Sequence, residues 1–331
     1  MEEHHYGVGR IRSLEARLIS PAQVARMSAA ADFSEAFGVL SETPYSDNLP
    51  RLKSPFDFEE LCELEQLSLK GLLDRLAPDN EIIAALFKEH DYLNLKILLR
   101  SYFSRTKEIK LFAKAGTIAF DKLRLYVFEG VKGIDDKEIV EAVDAARKAH
   151  EKDKDPQTID LVLDKHYYAG LKRLLSASPS PLIRELADHK LDLNNLKTVL
   201  RAQALKKNKK SLKAALLDTG AIDPDILLDL LDKTPQDIIS RLSFTQYFPA
   251  LAAGIEHYDK DRSFCLLEKL MDNYIIEQFK MAKYLSSGLE PLVGFYLAKE
   301  NEIKTLRFIL VSKRNYLSTE QIKARIRASY V

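Results

Sequence analysis

Tryptophan is absent from this chain of 331 residues, and there are two cysteines, Cys62 and Cys265. Neither cysteine sits in a Cys-x-x-Cys pair, which excludes a disulfide framework and a cysteine zinc site and fits a reducing compartment. Glycine is also sparse, at 12 residues, so loops that need left-handed backbone must be few or built from other residues. No run of eighteen apolar residues occurs. The stretch "FPALAAGI" is too short to span a bilayer, and the opening "MEEHHYGVGRIRS" has no apolar region of the secretory-signal kind. An excess of one charge is missing too: 50 basic residues stand against 49 acidic ones, which leaves no global field to favour nucleic acid or an anionic membrane.

The patterns that carry chemistry are missing as well. "YGVGR" supplies Gly7 and Gly9 but no third glycine and no preceding strand, so it is not a dinucleotide fingerprint, and no phosphate-cradling Gly-x4-Gly-Lys-(Ser/Thr) occurs. A Gly-x-Ser-x-Gly elbow and a His-Glu-x-x-His pair are absent. Of the seven histidines, His4 and His5 are adjacent, but two neighbouring ligands near a chain end make a poor metal site. Paired carboxylates such as those in "FEELCELEQ" read as solvated helix faces. The expectation is a protein without catalytic residues, cofactor, metal or small-molecule substrate.

What is present is helical periodicity. "LCELEQLSLKGLLDRLA" and "LLEKLMDNYIIEQFKMAKYL" place apolar residues three and four apart, no window alternates convincingly as a strand, and the fold class is all-α. The helices repeat. "HDYLNLKILLR" (90–100) returns as "HKLDLNNLKTVLR" (189–201) and, more weakly, as "ENEIKTLRFILV" (300–311). The shared acid is Asp91, Asp192 and Glu302. Eleven positions earlier stand Asn80, Pro181 and Pro291, each a good helix start. Capping-box signals open at Ser20, Asp135 and Thr234, and further helices open near Phe120-Asp121, Asp223-Pro224 and Ser318. This predicts a leading helix in 1–19 and three related units, 20–133, 134–233 and 234–331. Units of this kind can stack openly or close as a pseudo-threefold ring.

Within the motif, Asp91 and Asp192 read as N-caps of a helix whose buried stripe is Leu95, Leu98 and Leu99, or Leu196, Val199 and Leu200. Lys96, Arg100, Lys197 and Arg201 then lie toward its C-terminal end, where positive charge is favoured. The connection that follows is basic in every copy: Arg105, Lys107, Lys110 and Lys114, then Lys206, Lys207, Lys209, Lys210 and Lys213, then Lys313 and Arg314. On a threefold these loops form a basic rim suited to an acidic partner. The leading helix, with Tyr6, Arg10 and Arg12, is a second candidate contact. Nucleic acid is not expected, because no aromatics interleave with the rim charges.

The segment "DYLNLKILLR", the helix "GRIRSLEARLIS", the "ETPY" loop and the threefold helical pattern together resemble the C subunit of bacterial and archaeal V-type (A-type) ATPases. The eukaryotic counterpart is the d subunit of the vacuolar ATPase. The resemblance covers essentially the whole chain. Its most specific piece is Asp91-Tyr92 with Asn94-Leu95-Lys96; the third copy departs from it, with Thr305 and Arg307 in place of Asn and Lys. The resemblance implies a funnel-shaped, non-catalytic rotor subunit, peripheral on the cytoplasmic side of the membrane. It would join the central-stalk subunits to the membrane proteolipid ring for ATP-linked proton or sodium transport. Two other readings of the residues are a soluble α-helical repeat adaptor that binds partner helices and, behind it, an enzyme.

Overall fold

The computed structural model describes residues 4–106, 112–217 and 220–331. Among them every regular element is helical. The chain forms two compact units, one of Met1–Pro78 with Lys233–Val331 and one of Asp79–Asp232. In chain order the first unit begins with α1 (His5–Glu15), α2 (Pro21–Ala29), α3 (Phe33–Gly38) and α4 (Phe58–Leu76). The second holds α5 (Glu81–Ser104), α6 (Phe120–Glu129), α7 (Lys137–Asp153), α8 (Pro156–Ser176), α9 (Pro181–Ala204), α10 (Lys209–Ala215) and α11 (Pro224–Asp229). The first unit resumes with α12 (Pro235–Arg241), α13 (Phe248–Asp261), α14 (Cys265–Phe279), α15 (Glu290–Arg314) and α16 (Thr319–Arg325).

Helix starts fall where cap chemistry places them. Ser20 and Ser318 each close a full capping box with Gln23 and Gln321. Thr234 accepts from the Asp237 N–H at 3.2 Å, and Asn80 accepts from Ile82 and Ile83. At α7 the cap is one residue later than expected: Asp136 takes the N–H groups of Glu138 and Ile139. Each cap removes orphan donors and contributes roughly 1 kcal/mol.

The motif departs from expectation. It does not begin a helix. α5, α9 and α15 are continuous over 24, 24 and 25 residues, so Asp91, Asp192 and Glu302 lie in mid-helix. Nothing between Asn80 and Asp91 breaks a helix, and the buried acids have a different task, described below. The leucine stripe is where it was expected. Leu95, Leu98, Leu99, Leu196, Val199 and Leu200 are buried, and so are Leu306, Ile309 and Leu310 of the third copy. Each fully buried aliphatic side chain contributes roughly 1.5–3 kcal/mol.

Ion pairs register these helices on their neighbours. In the second unit, α5 packs on α6 and α8, and α8 also packs on α7 and α9. Lys96 reaches Asp164 of α8 at 2.6 Å, and Arg100 reaches Asp160 one turn away. The cations of the first copy are therefore spent on α8 and do not feed the rim. In the first unit α15 packs on α4, with Arg307 on Glu59 at 2.7 Å, and Lys304 and Arg327 both meet the half-buried Asp272 of α14. Burial alone would raise the Asp272 carboxyl; the two cations outweigh it and hold it below its ordinary value.

All three motif helices end alike. Arg105, Lys206 and Tyr316 take left-handed backbone, with φ of 57°, 51° and 58°. The next N–H reaches back five residues: Thr106 to Ser101, Lys207 to Ala202 and Leu317 to Ser312, at 2.9–3.0 Å. This is a Schellman stop made without glycine.

Candidate partner-binding surface

The buried acids and amides of the motif act as clamps on a distant stretch of chain. Asp91 accepts from the N–H groups of Thr117 and Ile118 and from the Thr117 hydroxyl, while Asn94 exchanges two 2.8 Å bonds with the main chain of Ala113. Asp192 accepts from Ala221 and Ile222, and Asn195 exchanges bonds with Leu217. Burial pushes the Asp91 carboxyl above its ordinary value, and the donated bonds pull the other way. The clamped chain lies so close that a Cβ on Gly116 or Gly220 would sit 2.2 or 2.1 Å from the aspartate oxygen.

The third clamp closes on the other end of the sequence. Glu302 accepts from the Ile19 N–H at 2.5 Å and from the Tyr45 hydroxyl at 2.9 Å, and Lys299 bridges it to Glu65. Ile19 stands two residues before α2, as Ile118 and Ile222 stand two before α6 and α11. The sequence pattern groups α16 with α6 and α11; the hydrogen bonds group α2 with them instead. Two residues before the clamped isoleucine the first two copies have Gly116 and Gly220, whereas the third has Arg17, with the longer Glu302 in place of the aspartate.

The basic candidates divide between the two units. In the second, Arg105, Lys206, Lys207, Lys209 and Lys210 are exposed, with Lys209 3.4 Å from Asp229. Lys107 and Lys110 lie outside the described residues. In the first unit Arg10 is exposed, and Arg314 is exposed with its guanidinium 5.7 Å over the Phe56 ring. Two candidates are placed otherwise than an open surface requires. Lys313 is buried and its ammonium donates to the Ala30 carbonyl. Arg12 grips Glu15 at 2.7 Å and donates to the carbonyls of Ala282 and Leu285. Both side chains serve the fold.

Apart from Tyr6, residue-type reasoning missed the apolar part of this surface. Leu205 is 67% exposed beside Lys206, and Tyr316 is 93% exposed beyond Arg314. The bonds of Arg12, with His5 on the Ser286 carbonyl, dock α1 on the 280–286 segment. That surface carries Tyr6, Met281 and Tyr284, exposed by 82%, 71% and 89%. Large exposed aromatics and methionine beside cations are the composition of protein–protein contacts. In the sequence, "KMAKYL" gave one signal, an apolar–basic alternation just past the end of a helical stripe.

No helix of the described residues is long and apolar enough to cross a membrane. The chain matches the ATP synthase (C/AC39) subunit family over residues 7–325. It is 27% identical to the A-type ATP synthase C subunit of Methanocaldococcus jannaschii, over 96% of this chain and 85% of that protein. It is 26% identical to the V-type sodium ATPase C subunit of Enterococcus hirae, over 99% of both. The A-type ATP synthase C subunit of Pyrococcus horikoshii is 23% identical over 98% of this chain and 90% of its own. Helical in every regular element described, built from repeated clamps and matched over nearly its whole length by these proteins, the chain belongs to the ATP synthase (C/AC39) subunit family and is a structural, non-catalytic member of a V/A-type rotary ATPase that works among partner subunits.

Proposed function

We propose that this chain is the rotor socket that joins the central-stalk subunits to the membrane proteolipid ring, on the cytoplasmic side, for ATP-linked proton or sodium transport. In this reading its three related units close as a pseudo-threefold funnel. The observation that carries the reading is the triplicated long helix. Each copy is fixed by a polar clamp and stopped by the same turn, with exposed basic residues at each end and an exposed apolar residue, Leu205 or Tyr316, in the second and third. A part that passes torque must not deform. Buried, fully paired polar contacts favour one arrangement of the chain over its neighbours, and the exposed ends offer contacts to partners. The rim formed by Arg105, Lys206, Lys207, Lys209, Lys210 and Arg314 takes the acidic partner surface. The α1 surface with Arg10, Tyr6 and Tyr284 is the second contact.

The test is assembly. Lys206, Lys207, Lys209 and Lys210 changed together to Glu should leave helix content and thermal midpoint unchanged. The variant should lose co-purification with stalk and ring subunits at low salt, where surface charge acts at longest range. Wild-type recovery by the quadruple variant at both low and high salt would refute the rim's role. A chain that never leaves the free pool, yet binds isolated helical peptides, would favour an adaptor instead.

A further inference from the structure

The motif's amide position is occupied in two copies and idle in the third. Asn94 and Asn195 each exchange bonds with the main chain that covers them. Thr305 stands at the equivalent place, buried, and its hydroxyl makes no hydrogen bond among the described residues. One turn earlier on α15, Asn301 is 7% exposed, with its Nδ2 buried and unpartnered. Both residues line a cavity of about 390 Å³, within the size range of ligand sites. Ile19 and the tail 327–330 form two of its walls and leave the space between them open.

α16 and the tail run along α15 from its Ile309 turn to its Gly294 turn. Ile322 shares a core with Ile309, and Tyr330 reaches Gly294, so Lys323 stands at the Ile309 end of the cavity. Lys323 is exposed on the lining, with Glu320 one turn away on its own helix and no direct ion pair among the described residues. The other charges on the lining already have partners. Glu302 takes the Ile19 N–H, the Tyr45 hydroxyl and Lys299, and Arg327 pairs with Asp272. The remaining walls are aliphatic: Val24, Met27, Ala298, Leu306, Ile309 and Ile326. What is left unpaired is a cation and two donors over hydrocarbon. The matching occupant has acceptors and negative charge at one end and a flexible aliphatic body at the other.

We propose that this cavity is a binding site for an anionic aliphatic amphiphile. The head supplies acceptors to Lys323, Thr305 and Asn301, and the chain lies along the aliphatic walls toward Ala298 and Leu18. A free aliphatic carboxylate and an anionic membrane lipid share this chemistry. The site depends on the cavity alone, so it stands or falls apart from the rotor reading.

The probe is sodium decanoate, titrated calorimetrically into the full chain below its micellar range. One saturable site at sub-millimolar concentration is expected, with slower hydrogen exchange in α2 and in residues 323–330. Thr305→Val keeps the shape of the side chain and should weaken binding about five-fold, the value of one hydrogen bond. Lys323→Gln should weaken it about three-fold, as for an exposed ion pair. Neither change should move the thermal midpoint. Decyltrimethylammonium, of opposite charge, should not bind. Phosphatidylglycerol vesicles separate the two sources. Retention of the chain that decanoate competes away assigns the site to the lipid; no retention, or retention that decanoate leaves unchanged, assigns it to the free carboxylate. Absence of saturable decanoate binding overturns the proposal. So do equal binding of decyltrimethylammonium, exchange protection confined to other parts of the chain, and an affinity that neither substitution changes.

Discussion

Asp192 shows what a single buried carboxylate does in this chain. Its oxygens have exchanged water for the N–H groups of Ala221 and Ile222, so removing it strands those donors in the interior. Asp192→Ala should lower the unfolding free energy by about 2–4 kcal/mol, read as a drop in urea midpoint at unchanged slope. Gly220→Ala should destabilise comparably, because its Cβ would overlap the same carboxylate at 2.1 Å; relief by Asp192→Ala in the double variant would appear as a favourable coupling. His189, buried one turn before Asp192, gives a pH test. Burial pushes its imidazole down to about 4, with Asp188 pulling weakly the other way. The native state therefore favours the neutral ring. Stability is full above the unfolded value near 6.5, falls as the pH drops from there to about 4, and is flat below. The loss amounts to at most ~3 kcal/mol. His189→Leu should flatten that part of the pH–stability curve, measured by denaturant titration; an unchanged curve would place the dependence elsewhere.

At the scale of the element, the three motif helices show how much a sequence discloses. The leucine stripe at 95, 98 and 99 and the starts at Asn80 and Pro181 were legible, because spacing and cap residues are local signals. The role of Asp91 was not. An acid ahead of an apolar run reads as an N-cap, and only the chain at Thr117 and Ile118 shows that it is a clamp. Lys313 and Arg12 misled for a related reason: a cation's exposure depends on which carbonyls the fold brings to it, here Ala30 and Ala282. The helix ends carry their own prediction. Lys206 and Arg105 sit in left-handed backbone that costs an ordinary residue about 1 kcal/mol. Lys206→Gly should raise stability by up to ~1 kcal/mol, since it removes that strain from an exposed Schellman turn at some cost in chain entropy. A lower thermal midpoint would show that the turn is not strained.

At the scale of the molecule, the repeat explains the economy of chemistry. Family membership makes the chain a structural part of a rotary machine. What sequence could not disclose is that the third clamp, Glu302, closes on Ile19, because that contact joins opposite ends of the chain. The clamp ties the first helices to α15 within one unit, so cutting it should loosen both together. In Glu302→Gln, hydrogen exchange should rise in α2 and in α15 alike. As the proposed socket, the chain couples ATP chemistry to ion movement without performing either. The direct measurement is ATP-driven ion uptake in vesicles carrying the enzyme with and without this chain. ATP hydrolysis should persist while uptake is lost, and adding back the wild-type chain should restore it. Full uptake in its absence would refute the coupling role.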